Sequence, residues 1–232
     1  MSINQTFYQK VKESGVACHH VAEVGVWHPD TSNVLGFILE GTRTTLVEPE
    51  PRSIRLIEQR FKNLDNVELH PCALCDFAGE VELFSLESST FLGSLEVTPA
   101  IVNDRYAKSE ADSFKVRAVK FSQIDDGSID VLSVDTEGSE WFVLKHMKSR
   151  PAVISLETHG GAYVNPHYQD IVQWMTLNDY VLWYKGRCDS VYARRDKVKI
   201  TLLDRLRNLM MDLEITLVAF RKRLSNRWKT RK

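Results

Sequence analysis

Cysteine is scarce in this 232-residue chain, and the four present are scattered: Cys18, Cys72, Cys75 and Cys188. That usage excludes a disulfide framework and fits a reducing compartment. Cys72 and Cys75 form a C-x-x-C with His70 just upstream, so zinc or dithiol chemistry has to be weighed. No second ligand pair stands at comparable spacing, because Cys18, His19 and His20 lie far off and together. The pair therefore reads as buried small residues. Long apolar runs are also missing, and none approaches the length of a membrane span. Residues 1–20 are polar, with Lys10, Lys12 and Glu13, and do not resemble a signal peptide. The expected location is the cytoplasm. No internal repeat or low-complexity tract appears. G-x-G-x-x-G is absent, which sets a nicotinamide-dependent oxidoreductase behind other readings.

What is present is ordinary globular composition, 43% apolar and 26% charged, in a chain long enough to bury a core. Short apolar runs alternate with helical segments. Strand character is expected at 20–26, 44–51, 66–74, 115–121, 129–135, 151–159, 180–184 and 189–194, with 79–86 alternating like a sheet edge. Helices are expected at 3–14, 30–41, 52–64, 138–147 and around 168–178. Residues 87–115 are polar and weakly patterned, and read as a mobile insert or lid. The order predicts a doubly wound, mainly parallel α/β sheet over residues 1–196. In such sheets ligands collect outside the carboxyl ends of the strands.

Five strand ends carry the chemistry. The first, "AEVGVW", holds Glu23, Gly25, Val26 and Trp27, and its glycine permits a tight turn and close approach to a ligand. The second, "LVEPEP", places Glu48 and Pro49 so that Glu48 follows Gly25 by 23 residues. An acid there can accept both hydroxyls of a ribose. The third, "HPCALCD", would lie beside the adenine, read by Asp76 or by backbone of Ala73 and Leu74. The fourth and fifth end at Asp135 and at "SLETH", bringing Asp135, Glu157 and His159 to one rim. A neutral imidazole beside a carboxylate suits a general base.

"SVDTEGSEW" crowds Asp135, Glu137 and Glu140 within six residues, against their mutual repulsion. Glu137 and Glu140 are expected in the first turn of the following helix, where the macrodipole favours negative charge. Asp135, before that turn, is the one assigned to function.

These stretches together resemble the FkbM-type methyltransferases, over about residues 20–195. The carrying pieces are "VAEVGVWHPDTS", "LVEPEPRSIRLIEQRF", "NVELHPCALCDFAGEVELF", "IDVLSVDTEGSEWFVLKHM" and "VISLETH". The resemblance implies a Rossmann-like class I methyltransferase fold with a seven-stranded sheet, S-adenosylmethionine as donor, and O-methylation of a sugar or related hydroxyl. Trp27 and Pro29 stand where the family usually has Asn and a second Gly. They motivate the alternative of a non-catalytic scaffold that assembles through its C-terminal helix. For methyl transfer, His159 is the base, oriented by Asp135 or Glu157. The acids can instead hold Mg²⁺, and the metal-free version is ranked ahead. The loop at 159–168, with Tyr163 and His167, and the 87–115 insert are the expected acceptor walls.

Residues 197–232 carry eleven Lys/Arg and three Asp/Glu, a net of +8 in a chain whose total is −1. Leu202, Leu206, Leu209, Leu213, Leu217, Phe220, Leu224 and Trp228 recur in steps of three and four, one stripe of an amphipathic helix. Arg205, Arg207, Arg221, Lys222, Arg223, Arg227, Lys229, Arg231 and Lys232 surround it. The stripe suits a packed or dimerising helix, or a peripheral anchor on the anionic inner face of a membrane. An anchor would suit a saccharide acceptor carried on a lipid. Nucleic acid is set aside because the acidic body repels phosphate.

Overall fold

The computed structural model describes residues 3–86 and 89–229, with side chains described from Phe7 to Lys222. The first half runs α1 (Ile3–Glu13), β1 (His20–Val24), α2 (Leu35–Leu39), β2 (Arg43–Val47), α3 (Pro51–Phe61), β3 (Val67–His70), β4 (Ala73–Leu74), β5 (Gly79–Leu86), β6 (Ser89–Leu92) and α4 (Pro99–Asp104). The second half runs β7 (Ser113–Val119), β8 (Val131–Val134), α5 (Glu140–Lys145), β9 (Val153–Glu157), β10 (His159–Gly160), β11 (Tyr163–Val164), α6 (Tyr168–Leu177), β12 (Tyr180–Lys185), β13 (Asp189–Arg194) and α7 (Leu202–Lys229).

Seven strands form the main sheet in the order β12-β13-β9-β8-β1-β2-β3. All neighbours are parallel except β13, which runs antiparallel to both β9 and β12. From β1 the chain winds outward through β2 and β3, then returns to β8 on the other side. This reversal is the switch point at which such sheets open a crevice. The period of two along each strand feeds two cores. Val21, Leu46, Val131 and Val153 face Phe7, Val11, Phe37, Ile57 and Phe61 of α1, α2 and α3. Ala22, Val47, Leu132 and Ile154 face Val143, Leu144, Ile171 and Met175 of α5 and α6. The fold is the expected Rossmann-like α/β architecture.

Local departures have local causes. The expected helix at 30–41 is a 3-10 turn, Pro29–Thr31, followed by the five-residue α2. Ser32 and Asn33 are drawn onto the Glu23 carboxylate, which breaks the helix between the two pieces. The 79–86 segment leaves the main sheet and joins a second one of order β4-β7-β5-β6. The described part of 87–115 carries β6, paired in register with β5, and α4, capped by Thr98. That segment is thus built into a sheet and a helix, with Phe84, Phe91 and Ala100 forming their own small core. Glu137 (φ 55°) and Gly138 (φ 115°) hold the backbone in the left-handed region, so α5 begins only at Glu140.

Candidate active site

A cavity of about 380 Å³ opens at the carboxyl ends of β1, β2, β8 and β9, walled on the far side by Leu83, Thr90, Phe91 and Leu92 of the second sheet. Its floor depends on Gly25. At φ 80° this residue packs so tightly that an added Cβ would stand 1.7 Å from the Asp135 carbonyl oxygen. Only glycine permits that approach. It lets β1 and β8 end side by side, with the amide of Asp135 bonded to the carbonyl of Val24 at 2.9 Å.

Glu48 caps the turn that follows. Its Oε2 accepts the amides of Val26 and Trp27, each at 2.8 Å, and its Oε1 accepts that of Glu50 at 2.9 Å. The side chain is buried at 3% exposure yet lines the cavity, and burial raises its pKa. A carboxylate offers about four acceptor positions. Three are filled here, which leaves one for a ribose hydroxyl rather than the two-hydroxyl contact expected. Val26, Trp27 and Pro49 line the same wall, and Trp27 (φ 52°) leaves its indole 47% exposed. Glu23 also borders the cavity, but its oxygens take Ser32 Oγ and the Asn33 amide, so it shapes the loop. Burial pushes its pKa up to about 8.

Of the residues expected beside an adenine, Ala73 and Leu74 line the cavity. Asp76 does not. It pairs with Lys145 at 2.8 Å and His146 at 2.7 Å beyond α5, and Lys145 first, then His146, holds its pKa down to about 2. Its role is a tie between the second sheet and α5.

At the opposite rim, Asp135, Glu137 and Glu157 converge, with one oxygen from each lying within 4.8 Å of the others. Desolvation first raises the pKa of all three; the charge of Asp135 then adds to it for Glu137 and Glu157, whereas for Asp135, whose residue is itself exposed to the cavity, the added charges are those of Asp189 and Glu48. Glu137 is therefore a rim residue and not part of a helix turn. Its left-handed backbone turns the side chain toward Ser89, whose hydroxyl donates to Oε1 at 2.9 Å. Glu140 does serve the start of α5, accepting the amides of Thr136 and Gly138 and the Asn165 side chain, and burial pushes its pKa up to about 7.

His159 is not brought to this rim. The amides of Thr158 and His159 both bond to the Cys188 carbonyl as the chain enters the β10–β11 hairpin. The imidazole is consequently buried with Nδ1 on Thr158 Oγ1 at 2.8 Å and Nε2 on the Gly186 carbonyl at 3.2 Å. Burial lowers its pKa, and it lines no part of the cavity. Tyr163 is 1% exposed, so it cannot stack on an acceptor. His167 packs against Phe142, ring centroids 5.5 Å apart.

Two rim residues escape sequence reasoning. Asp189 pairs with Glu157 across β13 and β9, and Arg187 stands just before it; both line the cavity. Burial pushes Asp189 up to about 6. Only the antiparallel direction of β13 brings its first residue to the carboxyl ends of the parallel strands, and hydropathy does not reveal direction.

Residues 19–182 match the methyltransferase FkbM domain. The chain belongs to the FkbM methyltransferase family. Solved structures similar to this FkbM chain include the ribosomal protein L11 methylase of Lactobacillus delbrueckii subsp. bulgaricus, at 10% identity, TM-score 0.42, and coverage of 82% of this chain and 77% of that one. A SAM-dependent methyltransferase of Aquifex aeolicus gives 13% identity, TM-score 0.41, and coverage of 81% and 88%. The precorrin-6y C5,15-methyltransferase of Geobacter metallireducens gives 14% identity, TM-score 0.38, and coverage of 82% and 86%. No curated protein matches significantly. The fold assignment stands on the strand order. Membership makes the protein a methyltransferase of the class dependent on S-adenosylmethionine, and the cavity fits that donor. The Gly25 turn leaves the floor clear, Glu48 keeps one acceptor position unfilled at the cavity wall, and Ala73 and Leu74 add an apolar stretch to the lining.

Proposed function

We propose that this FkbM methyltransferase transfers a methyl group to a hydroxyl of a saccharide. The observation that carries the reading is the shared cavity: Glu48 on one wall, and Asp135, Glu137 and Glu157 on the other. When bound, S-adenosylmethionine supplies an electrophilic methyl carbon on a sulfonium. Glu48, Ala73 and Leu74 hold its nucleoside, and the Gly25 turn sets its depth. The acidic rim receives the acceptor, because carboxylate oxygens take hydrogen bonds from a polyhydroxylated ring and the exposed Trp27 indole offers a flat apolar face beside them. Asp135 takes the acceptor's proton at its carboxylate as the acceptor oxygen bonds to the methyl carbon and the carbon–sulfur bond breaks. Carboxylates raised toward neutral pH are suited to that transfer. Radiolabelled methyl transfer to a panel of nucleotide sugars and lipid-linked sugars tests the reading, with hydrolysis of the product expected to release an O-methyl sugar. Label found on nitrogen, carbon or protein would end it.

A lipid-linked acceptor is favoured by α7. This helix meets the body through a polar face: Asn208 bonds to the amide of Lys185 and the carbonyl of Trp183, and Asp212 pairs with Lys185. The apolar stripe is turned away, with Leu202, Leu206, Leu209, Leu213, Leu217 and Phe220 at 56–77% exposure. Leu224 and Trp228, with Arg223, Arg227 and Lys229, lie outside the described side chains, and Arg231 and Lys232 outside the described residues. No helix among the described residues is long and apolar enough to cross a membrane. A basic helix with this exposed stripe suits adsorption to an anionic surface.

A further inference from the structure

The acceptor rim gathers more carboxyl groups than a proton-accepting role requires. Asp135, Glu137 and Glu157 each offer an oxygen within 4.8 Å of the other two. Among the described residues no lysine or arginine is ion-paired with any of them, and Arg187, the one basic lining residue, points outward at 80% exposure toward Glu214. Glu157 is 8% exposed, and its Oε2 has no hydrogen-bond partner among the described residues; Glu137 Oε2 has none either.

An independent observation comes from the hairpin behind the rim. Tyr163 is 1% exposed, and its hydroxyl also lacks a partner among the described residues. That hydroxyl lies 3.5 Å from where a Cβ on Gly138 would stand, and the acids that act on it are Glu140 first, then Glu157, Glu137 and Asp135. A buried phenol without a partner beside unpaired carboxylates marks a place where something with its own polar shell belongs. The donor set is all oxygen, with no imidazole or thiolate, and this is the set of a hard divalent cation that keeps several waters.

We propose that Asp135, Glu137 and Glu157 bind one divalent cation of the Mg²⁺ class, with the Tyr163 hydroxyl holding one of its waters. The proposal deepens the methyl-transfer reading and rests on it for purpose. A cation there draws two neighbouring hydroxyls of a sugar onto its open positions and lowers the pKa of the one to be methylated.

Mn²⁺ serves as probe, since its paramagnetic signal is lost on binding. Titrated with the full chain, it should bind at about one ion per chain and be displaced by Mg²⁺. Glu137→Gln and Glu157→Gln should each weaken binding by at least about tenfold. Circular dichroism and thermal melting check that both variants fold, and Glu137, the less buried, carries the test if Glu157→Gln does not. Mn²⁺ left free by the full chain, or bound equally by Glu137→Gln, overturns the site. Calorimetry with S-adenosylmethionine, performed without metal, separates the two ideas. Donor binding with Mn²⁺ ignored removes the cation and leaves the methyltransferase reading, whereas a chain that binds neither loses both.

Discussion

Gly25 is the residue least able to change. Alanine there would need both a left-handed backbone and a Cβ inside the van der Waals shell of the Asp135 carbonyl. Gly25→Ala is therefore expected to cost on the order of 4 kcal/mol or more, read as a lost or strongly lowered thermal transition. Glu48 acts through hydrogen bonds made by a charged group. Glu48→Ala removes the acceptor proposed for the donor nucleoside and releases three backbone amides. The expected loss of affinity for S-adenosylmethionine is about 1.5–3 kcal/mol, or roughly 10- to 150-fold by calorimetry. An unchanged affinity would dismiss Glu48 as the ribose contact. For His159 the expectation is structural. His159→Ala should lower stability by about 1–3 kcal/mol through its buried partners Thr158 and Gly186, and leave turnover within about threefold. A fall of several orders in turnover, with folding intact, would restore it to the chemistry.

The elements near the site were unevenly legible. Strands β1, β2, β8 and β9 announced themselves as short buried runs, and α3 by its apolar face. The acids at their ends could be placed because a strand end fixes where the next side chain emerges. What failed was everything set by tertiary bonds after the strand stops. His159 is two residues beyond Glu157, far enough for the Cys188 carbonyl to redirect the chain. Glu137 was lost to a helix because left-handed backbone has no signature in glutamate. Buried acids around these elements also govern the response to pH. Glu23 and Glu140 hold their protons to about 8 and about 7, whereas in the unfolded chain they release them near the ordinary glutamate value. The folded state thus binds more protons through that window, and stability falls as pH rises. His20 and His159, depressed by burial, act in the opposite sense only below their ordinary value. The thermal midpoint should therefore decline from about pH 6.5 to about 8.5, and Glu23→Gln should flatten that slope. A midpoint that rises across the interval would contradict the buried, protonated acids.

At the scale of the whole molecule, an acidic body is joined to a basic helix. Sedimentation with anionic vesicles should carry the full chain down. Introducing charge into the stripe, as in Leu209→Glu with Leu213→Glu, should release it without loss of fold, because both side chains are more than 60% exposed. Equal partitioning of the two proteins would dismiss the anchor. The β12–β13 hairpin gives this arrangement a mechanical meaning. Lys185 is fastened to Asp212 of α7, and Arg187, two residues along the same chain, stands at the mouth of the cavity. Two residues span at most about 7 Å. The cavity's entrance is thus tethered, almost without slack, to the helix proposed to lie on a surface, and adsorption of that helix would also aim the opening.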